Sequence, residues 1–89
     1  MSEKIYLTQY GLMAERHWRE FHPKTVQRLE RTDTLMEALF EAQQRTIEEM
    51  EALTRQLETE QQLTPQQAHD RAWEMIRDKY ILLPPEDES

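Results

Sequence analysis

The sequence predicts an all-α protein: a small bundle of about four helices in which the third helix is the longest. Three observations predict this fold class. The 89 residues include one Val and four Ile against abundant Glu, Gln, Leu, Ala, Met and Arg, a composition typical of helices. Apolar residues recur at spacings of three and four. Pro residues and a Thr-Asp-Thr segment stand where this periodicity is interrupted.

The chain is expected to form a single helical domain over residues 1–83, followed by an acidic flexible tail over residues 84–89. A chain of this length buries only about 60% of its unfolded surface, so its own core is small. The first two helices are expected to form a short hairpin that packs against an antiparallel pair made by the last two.

The first helix is expected to begin after Thr8, which is a suitable N-cap, and to end at about Phe21. Three of its apolar side chains are predicted to face the core: Leu12, Trp18 and Phe21. His22 precedes a proline and therefore avoids the α region, which separates the first helix from the second. Pro23 can open that short second helix, which carries Val26 and Leu29.

The third helix is expected to run from Leu35 to about Gln61 and to span about 40 Å. A compact domain of this mass is only about 30 Å across, so part of the helix should overhang its own core. We therefore predict a homodimer that uses four side chains of this helix: Ile47, Met50, Leu53 and Leu57. The alternative is that the helix bends or breaks near Gln43-Gln44 and folds back on one chain.

The fourth helix has the clearest start signal in the chain. Thr64 is placed to act as N-cap, Pro65 takes the first helical position, and Gln67 completes a capping box. The helix is expected to continue through Leu83, until Pro84-Pro85 stops it.

The composition excludes several classes of site. The absence of Cys rules out disulfides, thiolate zinc sites and a cysteine nucleophile, and a single Gly leaves no material for a Gly-rich phosphate loop. Ser occurs only as Ser2 and Ser89, so no serine nucleophile is expected near a base. We expect no catalytic residues, and we expect the protein not to be an enzyme.

The three His residues do not have the spacing of a helical metal site, in which ligands are three or four residues apart. His17 and His22 are five residues apart across a predicted helix end, and His69 has no carboxylate three or four residues away. We expect no metal and no cofactor. No apolar run approaches the roughly 20 residues that span a bilayer, and the N-terminus lacks the apolar stretch of a signal peptide, so a cytoplasmic location is expected.

Charge is distributed unevenly along the chain. Residues 1–32 contain six basic and four acidic residues, whereas residues 33–89 contain five basic and fourteen acidic residues. The first part offers a candidate contact surface for nucleic acid or for an acidic partner: Arg16, His17, Arg19, Lys24, Arg28 and Arg31. The alternative is that this region docks on the acidic third helix of the same chain. We favour the alternative, because a net charge of −7 opposes binding to duplex DNA.

Two segments resemble the TnpV family of small transposon-encoded bacterial proteins. They are Arg16-His17-Trp18-Arg19, and Ala72-Trp73-Glu74-Met75-Ile76 followed by Tyr80-Ile81-Leu82. In that family an Arg-His pair leads a Leu-rich helical region, and an Ala-x-Glu-hydrophobic segment closes the chain. The similarity covers about residues 11–82. It implies a helical protein in a prokaryotic or mobile-element context, and it implies no activity and no site residues.

The function that we predict from the sequence is a non-catalytic cytoplasmic protein-interaction module, which acts through a protein partner and through self-association. The alternative is a small regulator of the antitoxin or transposon-accessory type, which contacts DNA through the basic region over residues 16–31.

Overall fold

A computed structural model describes residues 6–84 and contains four α-helices, with no strand in that range. The helices are α1 (Gln9–Phe21), α2 (Pro23–Arg31), α3 (Leu35–Glu60) and α4 (Pro65–Tyr80). The predicted all-α fold with a long third helix is confirmed. The predicted acidic tail lies outside the described residues, apart from Pro84.

Two helices begin at the caps that the sequence predicts. The Thr8 hydroxyl accepts a hydrogen bond from the backbone N–H of Tyr10 at the start of α1. At α4, the Gln67 N–H donates to the Thr64 hydroxyl over 3.2 Å, and the Thr64 N–H donates to the Gln67 side chain over 3.1 Å. This reciprocal pair satisfies two N–H groups that the helix itself cannot bond.

The long helix α3 is continuous through Gln43 and Gln44, so the predicted alternative of a break there is wrong. α3 and α4 form an antiparallel hairpin. The seam of this hairpin is a small hydrophobic cluster: Met50, Leu57, Ala68, Ala72 and Ile76. A second cluster joins α1, α2, the first turns of α3 and the segment after α4: Ala14, Trp18, Val26, Leu35, Leu39, Ala42 and Ile81.

The prediction that Leu12 and Phe21 face the core is wrong, because their side chains are 55% and 41% exposed. α1 instead buries Gly11, Ala14 and Trp18, which recur at spacings of three and four on one face. Leu12 follows Gly11 and therefore lies about 100° further round the helix.

α4 ends at Tyr80 rather than at Leu83 as predicted. The N–H of Leu82 donates to the carbonyl of Arg77 over 2.6 Å, and the chain then leaves the helix. Ile81 is fully buried in the cluster shared with α1 and α2. The segment from Ile81 to Leu83 therefore closes the fold by returning to α1.

The molecule is thin and open for its length. Its Cα atoms span 46 × 41 × 14 Å with a radius of gyration of 15.0 Å, whereas a compact domain of this length has about 12 Å. Its accessible surface is 6800 Å², compared with about 5,500 Å² for a compact protein of this mass. Within residues 6–84 no helix is both long and apolar enough to cross a membrane.

Candidate interaction surfaces

Two of the six predicted basic contact residues, Arg19 and His17, contact other groups of their own chain. The Arg19 guanidinium pairs with Glu15 over 3.0 Å and with Glu30 over 3.3 Å, which ties α1 to α2 and raises the pKa of Arg19. The Nε2 atom of His17 lies 2.7 Å from the carbonyl oxygen of Leu83, so the His17 ring contacts the segment that follows α4. Arg19 and His17 therefore already contact their own chain.

The exposed part of the basic set lies mainly on α2. Lys24, Arg28 and Arg31 follow one another at spacings of four and three, so they share one side of the helix, and all three are exposed. Arg16 is also exposed on α1. No ion pair within residues 6–84 joins any of the six predicted contact residues to α3, and the favoured interpretation, docking on the acidic third helix, stays a prediction. Arg19 instead forms its ion pairs with Glu15 on α1 and Glu30 on α2.

The two segments that resemble the TnpV family lie in contact. The indole N–H of Trp18 donates to the carbonyl of Ile81 over 3.2 Å, and this hydrogen bond is buried. The Nε2 atom of His22 also lies 3.3 Å from the Leu83 carbonyl oxygen, beside His17. Side chains of α1 and of its C-cap therefore hold the segment that follows α4. This arrangement gives the Arg-His-Trp motif a structural role.

A groove runs along one side of the α3–α4 hairpin and ends at the first turns of α1. We call it the aromatic groove, and its lining includes Tyr10, Met13, Ile47, His69 and Trp73. The rings of Tyr10 and Trp73 stack with their centroids 5.4 Å apart. The groove continues outward along α3 past charged side chains: Glu51, Arg55 and Glu58. It is open to solvent rather than enclosed, and this shape suits a segment of a protein better than a small molecule.

The four residues predicted for self-association do not form one exposed stripe. Met50 and Leu57 are 4% and 6% exposed, because they pack against α4 in the seam of the hairpin. Ile47 and Leu53 are half-buried on opposite sides of that seam, and Ile47, unlike Leu53, lines the aromatic groove. The stripe is therefore mostly covered within one chain, and self-association through it stays a prediction.

The other side of the hairpin carries two ion pairs. The ammonium group of Lys79 lies 2.7 Å from Glu49, and the hydroxyl of Tyr80 donates to the same carboxylate. The hydrogen bonds from Lys79 and Tyr80 lower the pKa of Glu49, and the bond to that carboxylate raises the pKa of Tyr80. One turn earlier on α3, Arg45 pairs with Glu41 over 3.2 Å.

One polar contact in the core has no counterpart in the sequence analysis. Gln43 is only 2% exposed, and its Oε1 accepts hydrogen bonds from the N–H and from the hydroxyl of Thr8, the latter over 2.9 Å. Gly11 lies next to this oxygen, and a Cβ atom at position 11 would be only 2.6 Å from the Oε1 of Gln43. The fold therefore fixes the start of α1 to the middle of α3 through one buried amide.

Polar groups in the interior are satisfied, since no buried side-chain nitrogen or oxygen in the described part of the chain lacks a hydrogen-bond partner. Residues 6–84 also contain no group of three or more His, Asp or Glu side chains arranged to hold a metal ion. Compared with protein-family models, curated proteins and solved structures, the chain matches none. The TnpV resemblance therefore stays a prediction from the two short segments.

Proposed function

We propose that this chain is a non-catalytic, cytoplasmic protein-interaction module that binds a helix of a partner protein in the aromatic groove. The observation that supports this most is the groove itself, in which aromatic and aliphatic side chains from three helices form one open, concave surface. Amphipathic helices bind in such grooves through side chains spaced by three and four residues. The TnpV resemblance adds the proposal of a mobile-element context.

The chemistry of the groove specifies the kind of helix that it fits. Apolar side chains of the partner would lie against Tyr10, Ile47 and Trp73, where each large apolar side chain removed from water contributes about 1.5–3 kcal/mol. Glu51 and Glu58 border the outer part of the groove. A partner helix with an apolar face flanked by Lys or Arg matches both features, and the net charge of −7 favours a basic partner.

Affinity purification from the natural host tests this proposal with two charge-matched variants. Ile47→Glu places a carboxylate in the groove, and Gln44→Glu adds the same charge at an exposed position of α3 that lines no described groove. We expect a stoichiometric partner to co-purify with the unchanged protein and with Gln44→Glu, and to be lost with Ile47→Glu. The partner's binding segment should be a basic amphipathic helix. An identical set of co-purifying proteins from both variants, each with an unchanged helical spectrum, would contradict the proposal.

The basic side of α2 supports a second candidate function, contact with DNA. Lys24, Arg28 and Arg31 are exposed on one side of the helix and form no ion pair with residues 6–84. Three phosphate contacts would make the logarithm of affinity fall with the logarithm of salt concentration with a slope of about −2.7. This function is that of a small regulator of the antitoxin or transposon-accessory type.

Retention on a DNA column at increasing salt tests the second candidate. Replacement of Lys24, Arg28 and Arg31 by Gln should abolish the salt-dependent retention, whereas Arg55→Gln, an exposed change on α3, should leave it intact. Equal retention of both variants would reject contact through α2.

A further inference from the structure

The side of the α3–α4 hairpin opposite the aromatic groove is a second concave surface, which we call the balanced face. On α3 it follows positions 45, 49, 52 and 56, whereas the aromatic groove follows positions 47, 51, 54 and 58, and the buried seam lies between the two. Lys79 lines both parts of this face, so it is continuous along the hairpin. Its uncharged lining is mostly apolar: Ala42, Ala52, Leu53, Met75, Ile76 and Tyr80.

We infer that a second copy of this chain packs on the balanced face and forms a symmetric dimer in which two α3–α4 hairpins make a four-helix arrangement. This inference goes beyond the proposed function, because it concerns a different face and a different partner. The sequence predicts a dimer contact that includes Met50 and Leu57, which are buried in the seam of the hairpin. The inferred dimer contact lies instead on a surface that a single chain leaves open.

The charge of the balanced face favours a second copy as the occupant. The chain has a net charge of −7, so most of its surface repels another copy. On the balanced face the charges cancel, because Glu41 pairs with Arg45 and Glu49 pairs with Lys79. Two copies can therefore pack through this face without repulsion between like net charges. The aromatic groove has Glu51 and Glu58 against Arg55, and it would bring an excess of negative charge to its own copy.

The accessible surface of the single chain is also large enough for a dimer interface. The accessible surface of 6800 Å² exceeds that of a compact protein of this mass by about 1,300 Å². A stable interface buries about 800 Å² on each partner, which is less than this excess over the whole molecule. Met75 is 54% exposed on the balanced face, and Ala52 is exposed beside it, where small side chains let helices approach closely.

The oligomeric mass of variants tests the inference. At micromolar concentration the unchanged protein should have twice the chain mass of 10.8 kDa by light scattering. Ala52→Glu and Met75→Glu place like charges in the contact and should each weaken the dimer at least about tenfold, the effect of 1.4 kcal/mol. Gln44→Glu adds the same charge away from the face and should leave the dimer intact. A monomeric mass for the unchanged, folded protein would overturn the inference, and so would a dimer that both face variants leave unaltered.

Cross-linking of two copies through a single introduced Cys tests the same dimer without adding a charge, so it can be used if the Glu variants fail to fold. The chain has no Cys, so a single introduced Cys is a unique probe. Ala52 lies near the middle of the balanced face, and a short bifunctional maleimide should join two copies of Ala52→Cys but not two copies of Gln44→Cys. Cross-linking of Gln44→Cys alone would overturn the inference. Neither experiment uses the aromatic groove, so a negative result here leaves the proposed function standing.

Discussion

At the scale of single residues, the contact that fixes the start of α1 on α3 is the one between Gly11, Thr8 and Gln43. The buried amide of Gln43 accepts two hydrogen bonds from Thr8, and a buried acceptor of this kind costs about 1–3 kcal/mol if its donors are removed. Gly11 leaves room for this contact, because a Cβ atom there would be 2.6 Å from the Oε1 of Gln43 and 2.9 Å from the Cβ of Leu7, which precedes α1.

Gly11→Ala is therefore expected to destabilise the protein although alanine is the better helix former. The gain in helix propensity is at most about 1 kcal/mol, whereas overpacking costs about 1–3 kcal/mol. We expect a net loss of about 1 kcal/mol in the free energy of unfolding, measured in urea at equal protein concentration. Leu12→Ala, at the exposed neighbouring position, is the control and should change the free energy of unfolding much less. A more stable Gly11→Ala variant would show that the close approach is absent.

Sequence patterns cannot predict such a contact, and the reason is physical. Gly11 and Gln43 are each unremarkable in their own helices, and their meaning depends on which turns of α1 and α3 cross. The same reason explains why the prediction for Leu12 and Phe21 is wrong: periodicity gives the spacing of a buried face, but α1 buries the face that carries the small residues Gly11 and Ala14. Burial at a helix crossing can depend on the absence of a side chain.

At the scale of elements, the helix starts were predictable because caps are local. Thr8 and Thr64 accept hydrogen bonds from N–H groups two or three residues later, so the information lies within one turn. The end of α4 was not predictable in this way. The segment that follows it is held by Trp18 and His17, which contact the carbonyls of Ile81 and Leu83 from a helix more than 60 residues away in the sequence.

Thr64→Ala tests the cap of α4. Loss of the hydroxyl leaves the N–H of Gln67 without its partner, and we expect a cost of about 1 kcal/mol in the free energy of unfolding. Thr59→Ala is the matched control, because that hydroxyl only bonds back to the carbonyl of Arg55 inside α3. This control should be neutral or slightly stabilising, since alanine has the higher helix propensity. Equal losses in both variants, measured by urea denaturation, would contradict the assigned cap.

The contact of Glu49 on α3 with Lys79 and Tyr80 on α4 is expected to stabilise the protein in a pH-dependent way. The pKa of Glu49 is lowered in the folded state, so its contribution to stability is present above the ordinary Glu pKa of about 4.3. That contribution is lost as the pH falls through the lowered folded value.

Glu49→Gln should therefore be less stable than the unchanged protein at neutral pH, and the difference should shrink as the pH falls below about 4.3. Thermal unfolding between neutral and acidic pH measures this difference. Glu48→Gln changes an exposed neighbour that has no ion pair within residues 6–84, and it should give no such trend. A Glu49→Gln difference that is constant with pH would reject the contact.

At the scale of the whole molecule, the fold leaves two opposite sides of the α3–α4 hairpin open. The length of the third helix was predictable from the sequence, but its own chain covers one side of it from Leu35 to Leu57 instead of leaving the predicted overhang. Which side chains it exposes was not predictable, because α4 covers Met50 and Leu57 and leaves surfaces on both sides of them. Both proposals depend on this openness of the single chain.

Small-angle X-ray scattering of the Ala52→Glu variant, at a concentration where light scattering gives the mass of one chain, tests that openness most directly. We predict a radius of gyration close to 15.0 Å and the pair-distance profile of a flat particle. A radius of gyration near the 12 Å or so of a compact domain of this length would contradict the open arrangement, because the α3–α4 hairpin would then be covered by its own chain.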